Sequence, residues 1–186
     1  MKRARQLNFS AFSKKFKYVS STAFGGERFA RYNPSSSRPL AAHVPVHVVL
    51  RSDVAKGGRS LLRFDKDVRS IVFLRAKALG IKIKEFANVG NHIHLVVMLP
   101  SVRVWGDFIR SITGLIARLV MGAERGSAVG ERFWVGRPWS RIVAWGRDLA
   151  GVVKYLGLNH IEALGFSRKT ALVLKSMKLE GVLLQC

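Results

Sequence analysis

Residues 90–100, which read GNHIHLVVMLP, combine the pattern of a β-strand with two of the five histidines of the chain, His92 and His94. Side chains alternate between the two faces of a strand, so the two imidazoles share one face while apolar side chains fill the other. Same-face neighbours lie about 7 Å apart along the backbone, which allows two imidazoles to bind one ion. We therefore predict a strand whose apolar face packs on helices and whose histidine face is a candidate metal site.

The segments on either side of this strand predict an α+β fold. In chain order they are a strand at 46–51, a helix from Asp65 that stops at Gly80, a strand at 81–86, a turn at 88–91, the histidine strand, a helix capped by Ser101, a strand at 139–145 and a helix from Asp148 to about Leu164. The order is β-α-β-β-α-β-α, and its first six elements match the ferredoxin-like βαββαβ arrangement around an antiparallel sheet.

The charge of the chain points to a polyanionic partner. Its 186 residues include 32 Lys and Arg against 11 Asp and Glu, a formal net charge of +21. Such an excess is typical of proteins that bind nucleic acid, because each contact between a basic side chain and a phosphate releases condensed counterions. An anionic membrane is the competing partner, but the chain has neither an apolar run of about 18 residues nor a signal peptide. We expect a DNA partner and no membrane.

Three regions differ in composition. Residues 1–42 contain nine Lys and Arg and one acidic residue, which predicts a flexible basic arm that either follows DNA or is only a solvated tail. Residues 43–166 form the predicted domain, and 167–186 a basic tail that either docks as a helix or covers a groove. The single cysteine, Cys186, excludes an intrachain disulfide and argues against a cysteine-ligated zinc, so a reducing cytoplasm is the expected setting.

The last predicted helix carries a second candidate group. Tyr155 and Asn159 are four residues apart and therefore neighbours on one helix face. A phenol beside an amide can supply a nucleophile and an oxygen ligand, although a lone helical tyrosine is more often a core residue. Likewise, two histidines in a His-x-His pattern are more often merely exposed or locally hydrogen-bonded, and a metal site needs a further ligand from elsewhere in the chain.

Together these segments resemble the REP-associated tyrosine transposases of bacteria, which belong to the single-tyrosine HUH endonucleases. The resemblance rests on the His-hydrophobe-His motif at 92–94, the Tyr-x-x-x-Asn motif at 155–159 and the aromatic-Gly-Arg segment at 133–139, in that family's layout from about Pro45 to Gly165. One departure is His160, where relatives commonly have proline after the helix asparagine.

This resemblance implies a metal-dependent endonuclease and strand transferase that acts on single-stranded hairpin or palindromic-repeat DNA. His92 and His94 would bind Mg²⁺ or Mn²⁺ with Asn159 as the third ligand, and Tyr155 would form a 5′-phosphotyrosine intermediate. The resemblance also implies a bacterial, cytoplasmic and nucleoid-associated protein that is a monomer or a homodimer.

Basic and aromatic residues just before the tyrosine helix are the candidates for DNA contacts. Unpaired bases are held by aromatic platforms in basic grooves, and Trp134, Arg137 and Arg141 crowd this region, with Lys154 and Arg51 as further candidates. Two other functions stay open at this point. One is a catalytically inactive, domesticated nucleic-acid-binding protein on the same fold, and the other is an RNA-processing nuclease that uses the histidines as acid and base.

Overall fold

The computed structural model describes residues 38–122 and 131–176. Most of the predicted basic arm and residues 177–186 of the predicted tail therefore lie outside the described residues. The strands are β1 (Pro45–Arg51), β2 (Lys82–Asn88), β3 (His92–Met98) and β4 (Trp139–Ile142), and the helices are α1 (Asp65–Ala78), α2 (Val104–Met121), α3 (Arg147–Ala163) and α4 (Arg168–Ser176). Two short 3₁₀ turns, Gly57–Arg59 and Leu61–Phe64, connect β1 to α1.

The four strands pair in the order β2-β3-β1-β4, with every pairing antiparallel. The two central strands are β3, which carries His92 and His94, and β1. In the register of β1 against β3, Val49 lies opposite His94, and in that of β1 against β4, His47 lies opposite Arg141. Because each central strand is hydrogen-bonded on both sides, the histidine strand has a fixed position in the sheet.

One face of the sheet forms the main core, as the alternating pattern predicts. The inward side chains of β1 and β3 are at most 2 % exposed: Val46, Val48, Leu50, Ile93, Leu95 and Val97. They pack against Val68 and Val72 of α1 and against Phe108, Ile112 and Ile116 of α2. Each such side chain contributes about 1.5–3 kcal/mol on burial, so this layer fixes which face of β3 is left for the histidines.

Helix α3 lies on the opposite face of the sheet. Its residues Val152 and Leu156 pack against Val96 of β3 and Ala87 of β2, with Val143 beside them. This second apolar cluster places α3 on the same side of β3 as the two histidines. The helix that carries Tyr155 and the strand that carries the histidines are therefore neighbours.

The turn between β2 and β3 forms as its residues predict. Gly90 has a φ of +90°, a backbone conformation open to glycine, and its carbonyl accepts a hydrogen bond of 2.8 Å from the Leu61 N–H. The Asn88 side chain is buried and donates to the Leu61 carbonyl at 2.9 Å and to Asp65 at 2.8 Å. These bonds fix the point at which β3 begins, immediately before His92.

Several element boundaries differ from the sequence prediction. The prediction that Ser101 caps the second helix is wrong, because α2 begins at Val104 with Arg103 at the N-cap position. Ser101 instead accepts a hydrogen bond from the Arg103 N–H at 3.3 Å, in the turn before the helix. The strand predicted at 139–145 ends at Ile142, since the chain turns there toward Gly146, which has a φ of +85°.

The described part of the predicted tail contains helix α4, which docks on α3. Ala171 is fully buried against Leu158 and Ile161 of α3. Over 38–122 and 131–176, none of the helices combines the length and apolar character that crossing a membrane requires.

Candidate active site

A cavity of about 750 Å³ opens on the histidine face of the sheet, between the strands and α3. We call it the histidine cavity. Its wall combines imidazoles, guanidinium groups, one carboxylate and one phenol with a few apolar side chains. The lining residues are His47, Val49, Arg51, His92, His94, Val135, Arg137, Trp139, Arg141, Arg147, Asp148, Gly151, Val152 and Tyr155.

His92 and His94 share this cavity, as the strand alternation predicts. Their ring centroids are 4.7 Å apart with the planes at 76°. The Nδ1 atom of His92 lies 2.6 Å from Oδ1 of Asn91. An amide oxygen only accepts hydrogen bonds, so this contact places a proton on Nδ1 and leaves Nε2 of His92 with a lone pair.

His94 is bonded to a third histidine, which the sequence prediction did not include in the site. Its Nδ1 lies 3.1 Å from Nε2 of His47, and the two residues are 5 % and 6 % exposed. Nε2 of His94 is buried and has no hydrogen-bond partner among the described residues. A buried polar nitrogen without a partner is uncommon in folded proteins and calls for an explanation such as a bound ion or water.

The three histidines of the cavity are held in the neutral form. Burial, with a smaller effect from neighbouring rings, lowers the pKa of His94 to about 3. Burial, with a smaller effect from Arg141, lowers the pKa of His47 to about 4. Burial, followed by Arg51, also lowers the pKa of His92. Neutral imidazoles are the form that binds metal ions.

Tyr155 projects from α3 toward the same group of rings. Its ring centroid is 5.9 Å from that of His94, with the planes at 83°, and the residue is 48 % exposed. This exposure argues against the alternative that Tyr155 is a core residue. The phenol and the two imidazoles of the HUH-like motif therefore line one solvent-accessible cavity.

Four arginines and a single carboxylate set the charge of the histidine cavity. The guanidinium of Arg141 donates two hydrogen bonds, of 3.0 and 2.9 Å, to the two carboxylate oxygens of Asp148. Oδ2 of Asp148 also accepts a bond of 2.9 Å from the Ala144 N–H. The hydrogen bonds from Arg141 are the main reason that the pKa of Asp148 is lowered. With Arg51, Arg137 and Arg147 on the same wall, the cavity is positively charged and suited to an anion.

The predicted DNA-contact residues divide into two groups. Arg51, Arg137 and Arg141 line the histidine cavity, whereas Trp134 and Lys154 do not. Trp134 lines a neighbouring groove of about 330 Å³, and its Nε1–H donates a bond of 2.9 Å to the Thr113 carbonyl. This groove, the tryptophan groove, shares Arg51 and Val135 with the histidine cavity. Lys154 is exposed on α3 beside Tyr155.

Asn159 is half-buried on α3, one turn beyond Tyr155, and is not among the residues that line the histidine cavity. Within residues 38–122 and 131–176, no group of three or more His, Cys, Asp and Glu side chains has the arrangement of a metal site. The imidazole nitrogens of His92 and His94 on the cavity wall are the candidate metal donors that the sequence predicts. Imidazole nitrogen is a ligand type that divalent transition-metal ions bind.

Sequence reasoning missed His47 and the role of Asp148. His47 is in a strand that its apolar neighbours identify, but only the register between β1 and β3 shows that it reaches His94. Asp148 is recognisable from sequence as a residue in the first turn of a helix. Its pairing with Arg141 depends on how the chain turns between β4 and α3.

Comparison with solved structures finds a likeness in fold to a REP-associated tyrosine transposase bound to a REP hairpin. The two chains superpose with a TM-score of 0.56 and 14 % sequence identity, over 70 % of this chain and 74 % of the other. No family model and no curated protein matches the sequence. At this identity the likeness shows the fold, a mixed α/β fold with a four-stranded antiparallel sheet.

Proposed function

We propose that the chain is a metal-dependent endonuclease and strand transferase that cuts single-stranded DNA through a 5′-phosphotyrosine. The observation that carries the proposal is the position of Tyr155, whose ring lies 5.9 Å from that of His94 on the wall of one cavity. The likeness in fold to a REP-associated tyrosine transposase supports the same conclusion. A protein that only binds nucleic acid needs neither the exposed phenol nor the paired imidazoles.

The strand order supports a ferredoxin-like core for this enzyme. The order β2-β3-β1-β4, with helices α1 and α2 on one face, follows from a βαββαβ chain path. In this arrangement β1 and β3 lie side by side in the middle of the sheet. A group on α3, the helix after β4, can then face the histidines of β3.

In the proposed reaction the oxygen of Tyr155 attacks the phosphorus of the scissile phosphodiester. The new bond joins the phenol oxygen to the 5′-phosphate, and the bond from phosphorus to the 3′-oxygen breaks, so that this oxygen leaves as a 3′-hydroxyl and takes up a proton. The phenol gives up its proton to solvent before or during the attack, and the departing 3′-oxygen takes one up from solvent. Because one phosphodiester bond is exchanged for another, the reverse reaction with a different 3′-hydroxyl transfers the strand.

His92 and His94 are the proposed ligands of a Mg²⁺ or Mn²⁺ ion. When bound, such an ion neutralises charge on the scissile phosphate. We propose Asn159 as the third ligand on the basis of the Tyr-x-x-x-Asn motif. Asn159 lies one helical turn beyond Tyr155 on α3 and does not line the histidine cavity.

The arginines of the histidine cavity are the proposed phosphate contacts. Arg51, Arg137 and Arg147 line the wall around the scissile position, and Arg141 is positioned by Asp148. The tryptophan groove joins the cavity at Arg51 and Val135. We propose that the DNA strand continues from the cavity into this groove, where Trp134 and Pro138 offer apolar surface to a base. Lys154, exposed beside Tyr155, is a further backbone contact.

The structural neighbour is bound to a REP hairpin, and we propose hairpin DNA as the substrate of this chain too. An enzyme of this kind acts on the chromosome, in the bacterial cytoplasm. It works as a monomer or a homodimer.

The test is the capture of the covalent intermediate. The protein is incubated with labelled hairpin oligonucleotides that carry single-stranded flanks, with Mn²⁺, and the products are separated in SDS. The proposal expects a labelled adduct that protease digestion reduces to a phosphotyrosyl peptide containing residue 155. Tight DNA binding without adduct or cleavage would instead support the inactive DNA-binding protein. Cleavage of RNA without an adduct would support a nuclease that uses histidines as acid and base.

A further inference from the structure

We propose that His47 is the positioning residue that keeps Nε2 of His94 unprotonated and ready to bind a metal ion. The inference rests on the proposed metal centre and names the residue that prepares it. His47 belongs to neither motif that defines the candidate site in the sequence. It lies on β1, whereas the metal-binding pair lies on β3.

The position of His47 is fixed on several sides. It lies diagonally across the β1–β3 pair from His94, since His47 is opposite Val96 and His94 is opposite Val49. The two imidazole rings are stacked, with centroids 5.4 Å apart and planes at 26°. The Trp139 ring contacts His47 edge-on from the β4 side, with centroids 5.3 Å apart. With 6 % of its surface exposed, His47 has little freedom to turn.

The bond between the two rings has two possible directions. Both rings are neutral, so one nitrogen of the 3.1 Å contact carries a proton and the other accepts it. If Nε2 of His47 donates, then the proton of His94 is on its own Nε2. That N–H would be buried without an acceptor and could not bind a metal ion.

If Nδ1 of His94 donates to His47, then Nε2 of His94 carries a lone pair. In the metal-free chain this nitrogen is still buried without a partner, but a metal ion can occupy the position of the missing partner, which it cannot do when Nε2 carries a proton. This direction also gives His94 the same tautomer that the Asn91 contact gives His92. Both imidazoles then present Nε2 for metal binding, with Nδ1–H held by a second residue behind it, as is usual for metal-binding histidines.

The chemical requirement of this role is a hydrogen-bond acceptor at the place of Nε2 of His47. A residue that merely filled space there could be replaced by any side chain of similar volume. Glutamine and leucine separate the two cases, because the glutamine oxygen can occupy the place of Nε2 and leucine offers no acceptor.

The first experiment uses the wild-type chain without metal. Long-range ¹H–¹⁵N correlation spectra at pH 7.5 distinguish the two tautomers of an assigned histidine. We expect His94 to carry its proton on Nδ1. A proton on Nε2 of His94 would overturn the inference, and this result needs no variant that has to fold.

The second experiment measures the dissociation constant of Mn²⁺ by electron paramagnetic resonance for the wild type and variants of β1. We expect His47→Leu to weaken binding about 10–100-fold and His47→Gln to stay within about threefold of the wild type. Val48→Ala is the matched control, since it removes a buried side chain next to His47 on the opposite face of β1 and should leave Mn²⁺ affinity unchanged. Equal affinities for the leucine and glutamine variants, whether both weakened or both unchanged, would contradict the role of the acceptor.

Failure of the inference differs from failure of the proposed metal centre. If the metal centre is wrong, the wild-type chain does not bind Mn²⁺. If only the inference is wrong, the wild-type chain binds Mn²⁺ but one of two other results appears. Either His94 carries its proton on Nε2 in the metal-free chain, or the His47→Leu variant binds Mn²⁺ as tightly as the wild type.

Discussion

The ring of Tyr155 meets the ring of His94 edge to face, with centroids 5.9 Å apart and planes at 83°. The contact joins helix α3 to strand β3 across the opening of the histidine cavity. It brings a phenol with a half-exposed side chain beside an imidazole that is almost completely buried. Its chemical significance can be tested by a substitution that removes a single atom, the phenol oxygen.

Replacing Tyr155 by phenylalanine should abolish cleavage and adduct formation. The change removes the attacking oxygen but keeps the ring and its contact with His94, so affinity for hairpin DNA should change less than about threefold. Cleavage assays and binding titrations at the same salt concentration measure the two effects. Tyr18→Phe and Tyr32→Phe are controls for the loss of a phenol elsewhere in the chain, and both should still cleave. Residual cleavage by Tyr155→Phe at the wild-type rate would exclude Tyr155 as the nucleophile.

Replacing Asp148 by asparagine should lower the free energy of unfolding by about 1–2 kcal/mol. The substitution weakens two charge-assisted hydrogen bonds from Arg141, and the pair is partly shielded from solvent, with side chains 22 % and 35 % exposed. Urea denaturation measures the change. Asp53→Asn is the control, because the Arg51–Asp53 pair is 63 % and 58 % exposed and should contribute less than about 0.5 kcal/mol. Equal effects of the two substitutions would show that the Arg141–Asp148 pair does not brace the end of β4 against α3.

Acid should destabilise the metal-free protein before its carboxylates are protonated. The pKa of His94 is lowered to about 3 and that of His47 to about 4, from 6.5 in each case. Between pH 6.5 and these values the unfolded chain binds more protons than the folded chain, so the free energy of unfolding falls as the pH falls. At pH 4.5 the loss should be on the order of 2 kcal/mol for each histidine.

Denaturation curves between pH 7.5 and 4.5 test this dependence. The double variant His47→Gln, His94→Gln should have a clearly flatter profile across this range, because its side chains at these positions do not titrate. A wild-type stability that stays constant or rises as the pH falls would contradict the burial of neutral imidazoles.

Arg137→Gln should reduce the salt dependence of DNA binding. If Arg137 contacts one phosphate of a single strand, the slope of the logarithm of the binding constant against the logarithm of salt concentration falls by about 0.7. Fluorescence anisotropy at several salt concentrations gives this slope. Arg75→Gln is the matched control, because Arg75 is exposed on α1, the helix on the other side of the sheet. A slope that changes equally in both variants would mean that overall charge, and not a phosphate contact in the cavity, determines the effect.

Gly90→Ala should destabilise the fold by about 1–3 kcal/mol. Gly90 has a φ of +90°, and an added Cβ would lie 3.2 Å from Ser60 Oγ and 3.4 Å from Leu62 Cδ1. Gly114→Ala in α2 is the opposite case, since no atom lies within 4 Å of the added Cβ. It should stabilise the chain by up to about 1 kcal/mol. Thermal unfolding of both variants would show shifts of opposite sign, and a neutral Gly90→Ala would refute the strain.

The parts of the fold that local patterns determine could be predicted from the sequence. Alternation in β3 identified the buried face, and turn residues identified the hairpin that leads into His92. The prediction of Ser101 as a cap failed because several turn residues near a helix start can all hydrogen-bond to the backbone. The helix then begins where packing of its apolar stripe begins, at Val104.

The site could be predicted only where its residues follow from one strand or one helix. The pairing of His47 with His94 depends on register between strands that are far apart in sequence, which no local pattern contains. Asn159 illustrates a different limit. Residues four apart on a helix are offset by about 40° around the axis and about 6 Å along it, so the stripe that contains Tyr155 can leave the cavity before the next turn.

The apolar contact of Val152 and Leu156 with the sheet has a consequence for how many copies of the chain one reaction needs. It anchors the helix that bears the nucleophile to the same polypeptide that bears the imidazoles. Tyr155 and the imidazoles of His92 and His94 therefore reach one cavity from a single polypeptide, without a residue from a second copy.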